Sequence, residues 1–396
     1  MRTPLLLLAL AASLAACRPP IAAVEGAVSA QTGFVDPLGV LNEGASASDV
    51  APRAQALATL TRHAPAEEAR SWALRGLFDP DDYTRGRVAA ALIRRVDEPW
   101  ARALLVELVG RADVDPYTRG PAALAVAKAA DPGAKDALVR ALAAVEEPWR
   151  RAPLNLALAV LGDVNALAEL SAVLKGGDVP MRVDFIIACG AAGLPLAEPL
   201  RDGLDRVEEE MVLPLAGALL LLGEPRGALA IRAALLDPSI ERRLEAIDTL
   251  KLLPHEDAAR LLKSARRGGP PASRHWATLV LVARGEAPLS EALNQLESED
   301  RELRQQAAWA IGERLNQDAN PDRREARLAR AALVRALGDH EDGVTVAAAR
   351  ALALCGTPEE LPALSARLND ESIGARVELA AAMYTILARE RVQGSS

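Results

Sequence analysis

A stretch of eight residues occurs twice, 34 positions apart: Asp79-Pro-Asp-Asp-Tyr-Thr-Arg-Gly86 returns as Asp113-Val-Asp-Pro-Tyr-Thr-Arg-Gly120. A fixed offset of this size marks a repeat array, in which no unit can bury its apolar face alone. With Arg85 and Arg119 as one column, equivalents fall at Arg53, Arg150, Arg182, Val212, Arg243, Arg274, Arg304, Thr345 and Arg376. Neighbouring positions are 30 to 34 residues apart, except for one gap of 41 after Arg304.

Three further columns follow the first. Four residues earlier stand Asp49, Asp81, Asp115, Glu146, Asp178, Glu208, Ser239, Pro270, Asp300, Glu341 and Ser372. Acidic and hydroxyl side chains suit helix starts, where they cap free N–H groups and meet the positive end of the dipole. Four residues later stand Leu57, Ala89, Ala123, Leu154, Ile186, Ala216, Ile247, Thr278, Ala308, Ala349 and Ala380. Seven later stand Leu60, Leu92, Val126, Ala157, Cys189, Leu219, Leu250, Leu281, Ile311, Leu352 and Met383. Apolar residues at this spacing form one stripe of a helix. Between these helices lies a second per unit, as in Ala134, Ala137, Leu138, Ala141, Leu142 and Val145.

The expected fold is therefore all-α: an α-α superhelix of about ten or eleven helical hairpins. Composition agrees. Aromatics are 3% of the chain and hydrophobic residues 50%, so the core must be built from Ala, Leu, Val and Ile. Ala and Leu are the strongest helix formers, whereas sheets favour β-branched and aromatic residues. The net charge is −8, with acids and bases alternating throughout. No basic stripe of the kind that reads nucleic acid is present, so nucleic acid is not an expected partner.

The stretches Asp49 to Leu60 and Asp300 to Ile311 resemble the HEAT family, in the bacterial subtype shared with phycobilin-lyase-like repeat proteins. The resemblance spans residues 48–390 and implies a solenoid whose concave side is lined by the helices that begin near the anchor column. Tetratricopeptide repeats fit worse because their large aromatic positions are missing. Ankyrin repeats fit worse because no Thr-Pro-Leu-His stretch occurs.

The first seventeen residues read MRTPLLLLALAASLAAC. One Arg precedes an uncharged apolar run that is too short for a stable membrane span and suits a cleaved signal peptide. Leu14-Ala15-Ala16-Cys17 resembles the lipobox of bacterial lipoproteins. That resemblance implies removal of residues 1–16, lipid attachment at Cys17 and a place in the cell envelope. Arg18 after the Cys favours the outer over the inner membrane. Residues 17–47, rich in Gly, Pro and Ser, read as a tether, and residues 391–396 as a polar tail. The segment from Asn316 to Arg324 reads as a loop. The run Met211 to Leu222 contains Pro214 and is too short to span a membrane, so it reads as a buried helix.

No catalytic constellation is evident. Cys189 and Cys355 sit five units apart, too far for a disulfide, and read as core. His63, His255, His275 and His340 lack metal-ligand spacing and read as surface residues. The acidic runs Glu208 to Glu210 and Glu297 to Asp300 lie at helix starts. The anchor arginines read as partners of neighbouring turns more than as an anion groove. Trp100 and Trp149 share a local phrase but stand in different phases, which argues against one site for both. No cofactor or metal is expected. The leading expectation is a membrane-anchored, non-catalytic scaffold with a protein or peptide partner. A structural envelope component and, further behind, a HEAT-like enzyme such as a bilin lyase are the alternatives.

Overall fold

The computed structural model describes residues 36–111, 113–176, 183–317, 324–369 and 372–393. Cys17 and the signal peptide lie outside the described residues, as do Asp178 and Arg182. Every regular element described is helical. In chain order they are α1 Pro37–Gly44, α2 Val50–His63, α3 Ala66–Leu77, α4 Asp82–Ile93, α5 Pro99–Gly110 and α6 Pro116–Lys128. Next come α7 Ala134–Ala143, α8 Pro148–Val160, α9 Val164–Gly176, α10 Val183–Gly190, α11 Ala197–Leu204 and α12 Glu209–Leu221. These are followed by α13 Pro225–Leu235, α14 Ile240–Lys251, α15 Glu256–Gly268, α16 Pro271–Ala283 and α17 Leu289–Gln295. The last are α18 Arg301–Asn316, α19 Arg324–Ala336, α20 Asp342–Cys355, α21 Leu361–Arg367 and α22 Ile373–Gln393.

The even-numbered helices are those of the anchor column, and their starts follow the acidic column. Asp49, Asp81, Asp115, Ser239 and Asp300 each stand at the N-cap and accept a hydrogen bond from a backbone N–H of the first turn. Every residue of the +7 column is at most 1% exposed. Successive even helices pack against one another as an inner layer, except α8 and α10, where the stacking is carried by α9 against α11 and α10 against α12; the odd helices lie outside. Inner helices are accordingly apolar on several sides; Leu213 to Leu220 of α12 are all buried. Outer helices are amphipathic, as in α15, which buries Ala258, Ala259, Leu261, Leu262 and Ala265 and exposes Arg260 and Lys263.

The array bends sharply. A side chain at Gly217 of α12 would lie 3.0 Å from both Ile187 of α10 and Thr249 of α14, so the flanking helices reach over the one between them. Lys251 of α14 does the same over α16. Its Nζ donates to Gln306 of α18 at 3.3 Å and lies 3.7 Å from the centre of the Trp309 ring. The bends bring the array round to its own beginning. Helix α22 packs against α20 and also against α1 and α2. Arg376 on α22 pairs with Glu43 on α1 at 2.9 Å across 333 positions of sequence. One apolar cluster accordingly joins Val40 to Ala166 with Leu213 to Ile386, and a second, from Ala152 to Leu219, fills the stretch between. The solenoid is a closed ring.

Three expectations change. The tether was expected to run to residue 47, but Pro37–Gly44 is a helix capped by Asp36, because Asp36, Pro37 and the apolar pair Val40 and Leu41 start and bury it. A polar tail was expected from residue 391. Instead α22 continues to Gln393, and Arg389 donates to the carbonyls of Leu354 and Gly356. The loop expected from Asn316 begins later, since α18 includes Asn316; residues 318–323 lie outside the described residues.

Candidate binding surface

Three of the anchor guanidiniums, those of Arg53, Arg243 and Arg304, turn inward and staple loops. Arg53 donates to the carbonyls of Ala47 and Ser48 and, through Nε, to Asp79 of the next loop at 2.9 Å. Arg243 donates to the carbonyls of Asp237 and Pro238 and to Ser273. Arg304 donates to the carbonyls of Ser298 and Glu299 and forms a two-point pair with Asp339 at 2.8 and 2.9 Å. Arg53 and Arg304 thus tie their own loops to a carboxylate of the following one, the structural role expected for the column, while Arg243 reaches the first turn of the next inner helix. At the opposite ends of the helices a second set of arginines was missed by sequence reasoning. Arg95 and Arg284, each ten residues past an anchor, donate to carbonyls in the connection between the two helices of the preceding unit: Thr61 and Ala64, and Leu253 and His255. The Thr61, Ala64 and Leu253 carbonyls lie at or just past the ends of α2 and α14, where a helix leaves carbonyls short of donors, whereas the His255 carbonyl is the N-cap acceptor of α15.

One anchor moves by a residue. Arg151, not Arg150, donates to the carbonyls of Leu142 and Val145 and reaches Glu169 of α9. The reason is the helix start, since Glu147 is the N-cap of α8 and the anchor stands four residues on. Arg150 points outward, its guanidinium 5.0 Å from the centre of the Trp149 ring. The shift puts Trp149 two residues before its anchor, the position that Tyr83 and Tyr117 hold before theirs. Three consecutive inner helices therefore carry an aromatic ring in one column of their first turn. Tyr83 and Tyr117 are exposed, and the rings of Tyr117 and Trp149 are 6.3 Å apart.

A cleft of about 270 Å³ lies beside this row, among Asp82, Arg85, Asp113, Asp115, Arg119 and Glu147. Its charges are paired. Asp82 meets Arg85, Asp113 meets Arg111 from beside the cleft, and Glu147 meets Arg150; Arg85 is sunk at 12% exposure, whereas Arg150 stands outward at 47%. Hydrogen bonding from Arg111 holds the Asp113 carboxyl below its usual range. Burial lowers the Arg119 guanidinium, against the pull of Asp115 and Asp113. Arg85 Nε and Asp115 Oδ2 are buried without a hydrogen-bond partner among the described residues. Pro121 and Pro153 interrupt α6 and α8 four residues after Tyr117 and Trp149. Proline has no N–H to offer, so the carbonyls of Tyr117 and Trp149 lose their α-helical donor.

Other candidates stay apart. Cys189 and Cys355 are buried free thiols, and burial raises both, Cys355 to about 12. His275 and His340 are exposed, and His255 is the half-buried N-cap of α15. His63 departs from its expected surface position. It is half-buried where α22 meets α2, and burial with Arg62, Arg389, Arg95 and Arg391 pushes its pKa to about 4. Trp100 stands on outer helix α5 and donates to Glu98 under the guanidinium of Arg95, a packed role unlike that of Trp149. Met211 to Leu221 lie within α12, whose interior is buried as expected. Among the described residues, no group of three or more His, Cys, Asp or Glu side chains is placed to hold a metal ion. Among them too, no helix is long and apolar enough to cross a membrane.

Residues 289–384 match the family of HEAT repeats. No curated protein matches the chain. Among solved structures, human deoxyhypusine hydroxylase in complex with glycerol is similar at 20% identity, covering 73% of this chain and 99% of its own, with a TM-score of 0.27. An engineered protein is similar at 18% identity, covering 89% and 99%, with a TM-score of 0.25. Kap121p is similar at 15% identity, covering 88% of this chain and 41% of its own, with a TM-score of 0.33. A solenoid of HEAT repeats is consistent with a protein-binding scaffold. The family match thus covers the last quarter or so of the chain, and the helical hairpins before it stack in the same serial way.

Proposed function

We propose that the chain is a non-catalytic, protein-binding scaffold held in a bacterial cell envelope by a lipid on Cys17, at the outer membrane in preference to the inner. The observation that carries the binding role is the row of exposed Tyr83 and Tyr117 and half-buried Trp149 on a largely aliphatic framework. Aromatic side chains are enriched where proteins bind one another, because they bury a large rigid area at low entropic cost. The anchoring role is supported by Leu14-Ala15-Ala16-Cys17 behind an uncharged apolar run. Two or three acyl chains, at about 0.8 kcal/mol per buried CH₂, hold a protein firmly to a bilayer. The test is proximity labelling in the native cell beside a Cys17→Ala form. The expected result is a reproducible set of envelope proteins near the wild type, and release of Cys17→Ala into the fraction that needs no detergent. Retention of Cys17→Ala in membranes would remove the anchor, and labelling no richer than background would remove the scaffold.

A further inference from the structure

We infer that the concave wall at the C-terminal ends of α2, α4 and α6 docks an acidic segment of a partner protein on Arg62, Arg94 and Lys128. This rests on the scaffold reading and names the chemistry of its partner.

The first observation is where the three cations stand. Each lies nine residues past its anchor, Arg53, Arg85 or Arg119. At about 100° of turn per residue, the second, fifth, sixth and ninth positions after an anchor share one face, with the ninth near its middle. That face is the concave one. Its members meet across neighbouring helices, as Arg87 with Gln55 and Arg350 with Glu378. A side chain at Gly217, on the same face, would meet Ile187 and Thr249 from both sides. The second observation is that the three charges are unanswered. Arg62, Arg94 and Lys128 are exposed, and among the described residues none of their side chains makes a hydrogen bond or an ion pair. Arg62 touches water yet has protein around it, because burial and then repulsion from Arg94 lower its guanidinium.

The third observation is alignment. A basic side chain at a helix C-terminus favours the dipole, which explains one such residue on one helix. It does not explain three in one column on consecutive inner helices, when Val160, Leu221, Leu252, Ala283 and Leu354 hold that column elsewhere. The one acid of the column, Glu313 on α18, interacts with Lys251. The fourth is length. Packed helices lie about 8–10 Å apart, so the wall runs about 16–20 Å, more than one small anion covers. Five or six residues of extended chain, at about 3.3 Å each, cross it. Guanidiniums match carboxylates with two parallel hydrogen bonds, so a chain with several carboxylates answers the row. Tyr83 and Tyr117 stand two residues before their anchors, also on this face, at the other ends of α4 and α6. The aromatic row and the basic row therefore belong to one surface.

The experiment uses the full chain in detergent and a fluorescent peptide of alternating Glu and Ser. A second peptide carries Gln for Glu, which keeps the shape and loses the charge. Anisotropy titration should show binding of the Glu peptide, weakening as salt rises, and at least about tenfold weaker binding of the Gln peptide. Arg62→Gln and Arg94→Gln should each weaken the Glu peptide by about five- to tenfold. Each also removes a repulsion, so neither should lower the melting temperature followed by circular dichroism. Arg232→Gln takes an exposed charge from outer helix α13 and should leave affinity unchanged. Equal affinity for the two peptides, no binding of either, or wild-type affinity in both concave variants would each overturn the inference. Tripolyphosphate bound more tightly than the Glu peptide would assign the wall to phosphates and overturn it too. If proximity labelling still recovers envelope neighbours in that event, the scaffold stands and only the acidic partner falls.

Discussion

The joint between α18 and α20 and the joint between α22 and α1–α2 do the same work with different means. The first links neighbours in sequence, and the second links the two ends of the described helices. At the first joint, Arg304 and Asp339 form a two-point pair whose side chains are 7% and 13% exposed. At the second, the anchor Arg376 meets Glu43 through a single bond, with side chains 29% and 56% exposed. The seam compensates with apolar fit. A side chain at Gly44 would come within 2.5 Å of Val377, and Val377, Leu379, Ala380 and Met383 are all at most 1% exposed. The contrast teaches that closure is made by packing, and the α18–α20 joint by packing plus a locked ion pair.

That comparison can be broken most forcefully at Val377. Val377→Asp buries an unpaired carboxylate at the seam and should cost about 4–5 kcal/mol of stability. The ring should also open, raising the radius of gyration in small-angle scattering. An unchanged radius and unchanged denaturation midpoint would refute closure. Next in size is Asp339→Ala. It leaves Arg304 buried without its carboxylate and should cost about 3 kcal/mol, while Glu43→Ala at the exposed seam pair should cost under about 1 kcal/mol. Equal losses in urea denaturation would erase the distinction between the joints.

The smallest expected effect is a pH dependence at the seam. His63 has its pKa lowered from 6.5 to about 4 by burial and by Arg62, Arg389, Arg95 and Arg391, two of which come from α22. The unfolded chain then binds a proton at a pH where the folded one does not. Stability is therefore lost as pH falls from about 6.5 towards 4, by roughly 2 kcal/mol at pH 5. His63→Gln should flatten this part of the stability profile measured by denaturant titration. A wild-type slope that survives the substitution would place the loss elsewhere.

Much of the architecture was legible in the sequence, because caps and apolar columns act locally. Asp49, Asp81, Asp115 and Asp300 start their helices where the columns put them. Closure was not legible from the columns, since their pattern is the same at every joint and says nothing of the angle between units. One signal existed. Ile373 to Leu387 is apolar around much of its circumference, whereas a terminal helix facing water should show a polar outer side. The aromatic row was hidden by a slip of one residue. Arg150 and Arg151 offer the same guanidinium, and only the start of α8 at Glu147-Pro148 chooses between them. The arginines capping helix ends could have been found by extending the alignment ten residues past Arg85 and Arg274, to Arg95 and Arg284.

An open array lengthens easily by duplication, because a new hairpin only moves one end outward. Here eleven inner helices among the described residues share a full turn, on average roughly 33° each. A twelfth would require every joint to relax to about 30° at once, or would leave a gap whose oily walls face water. Descent by adding or losing one unit is thereby blocked, and change is channelled into the connections on the rim.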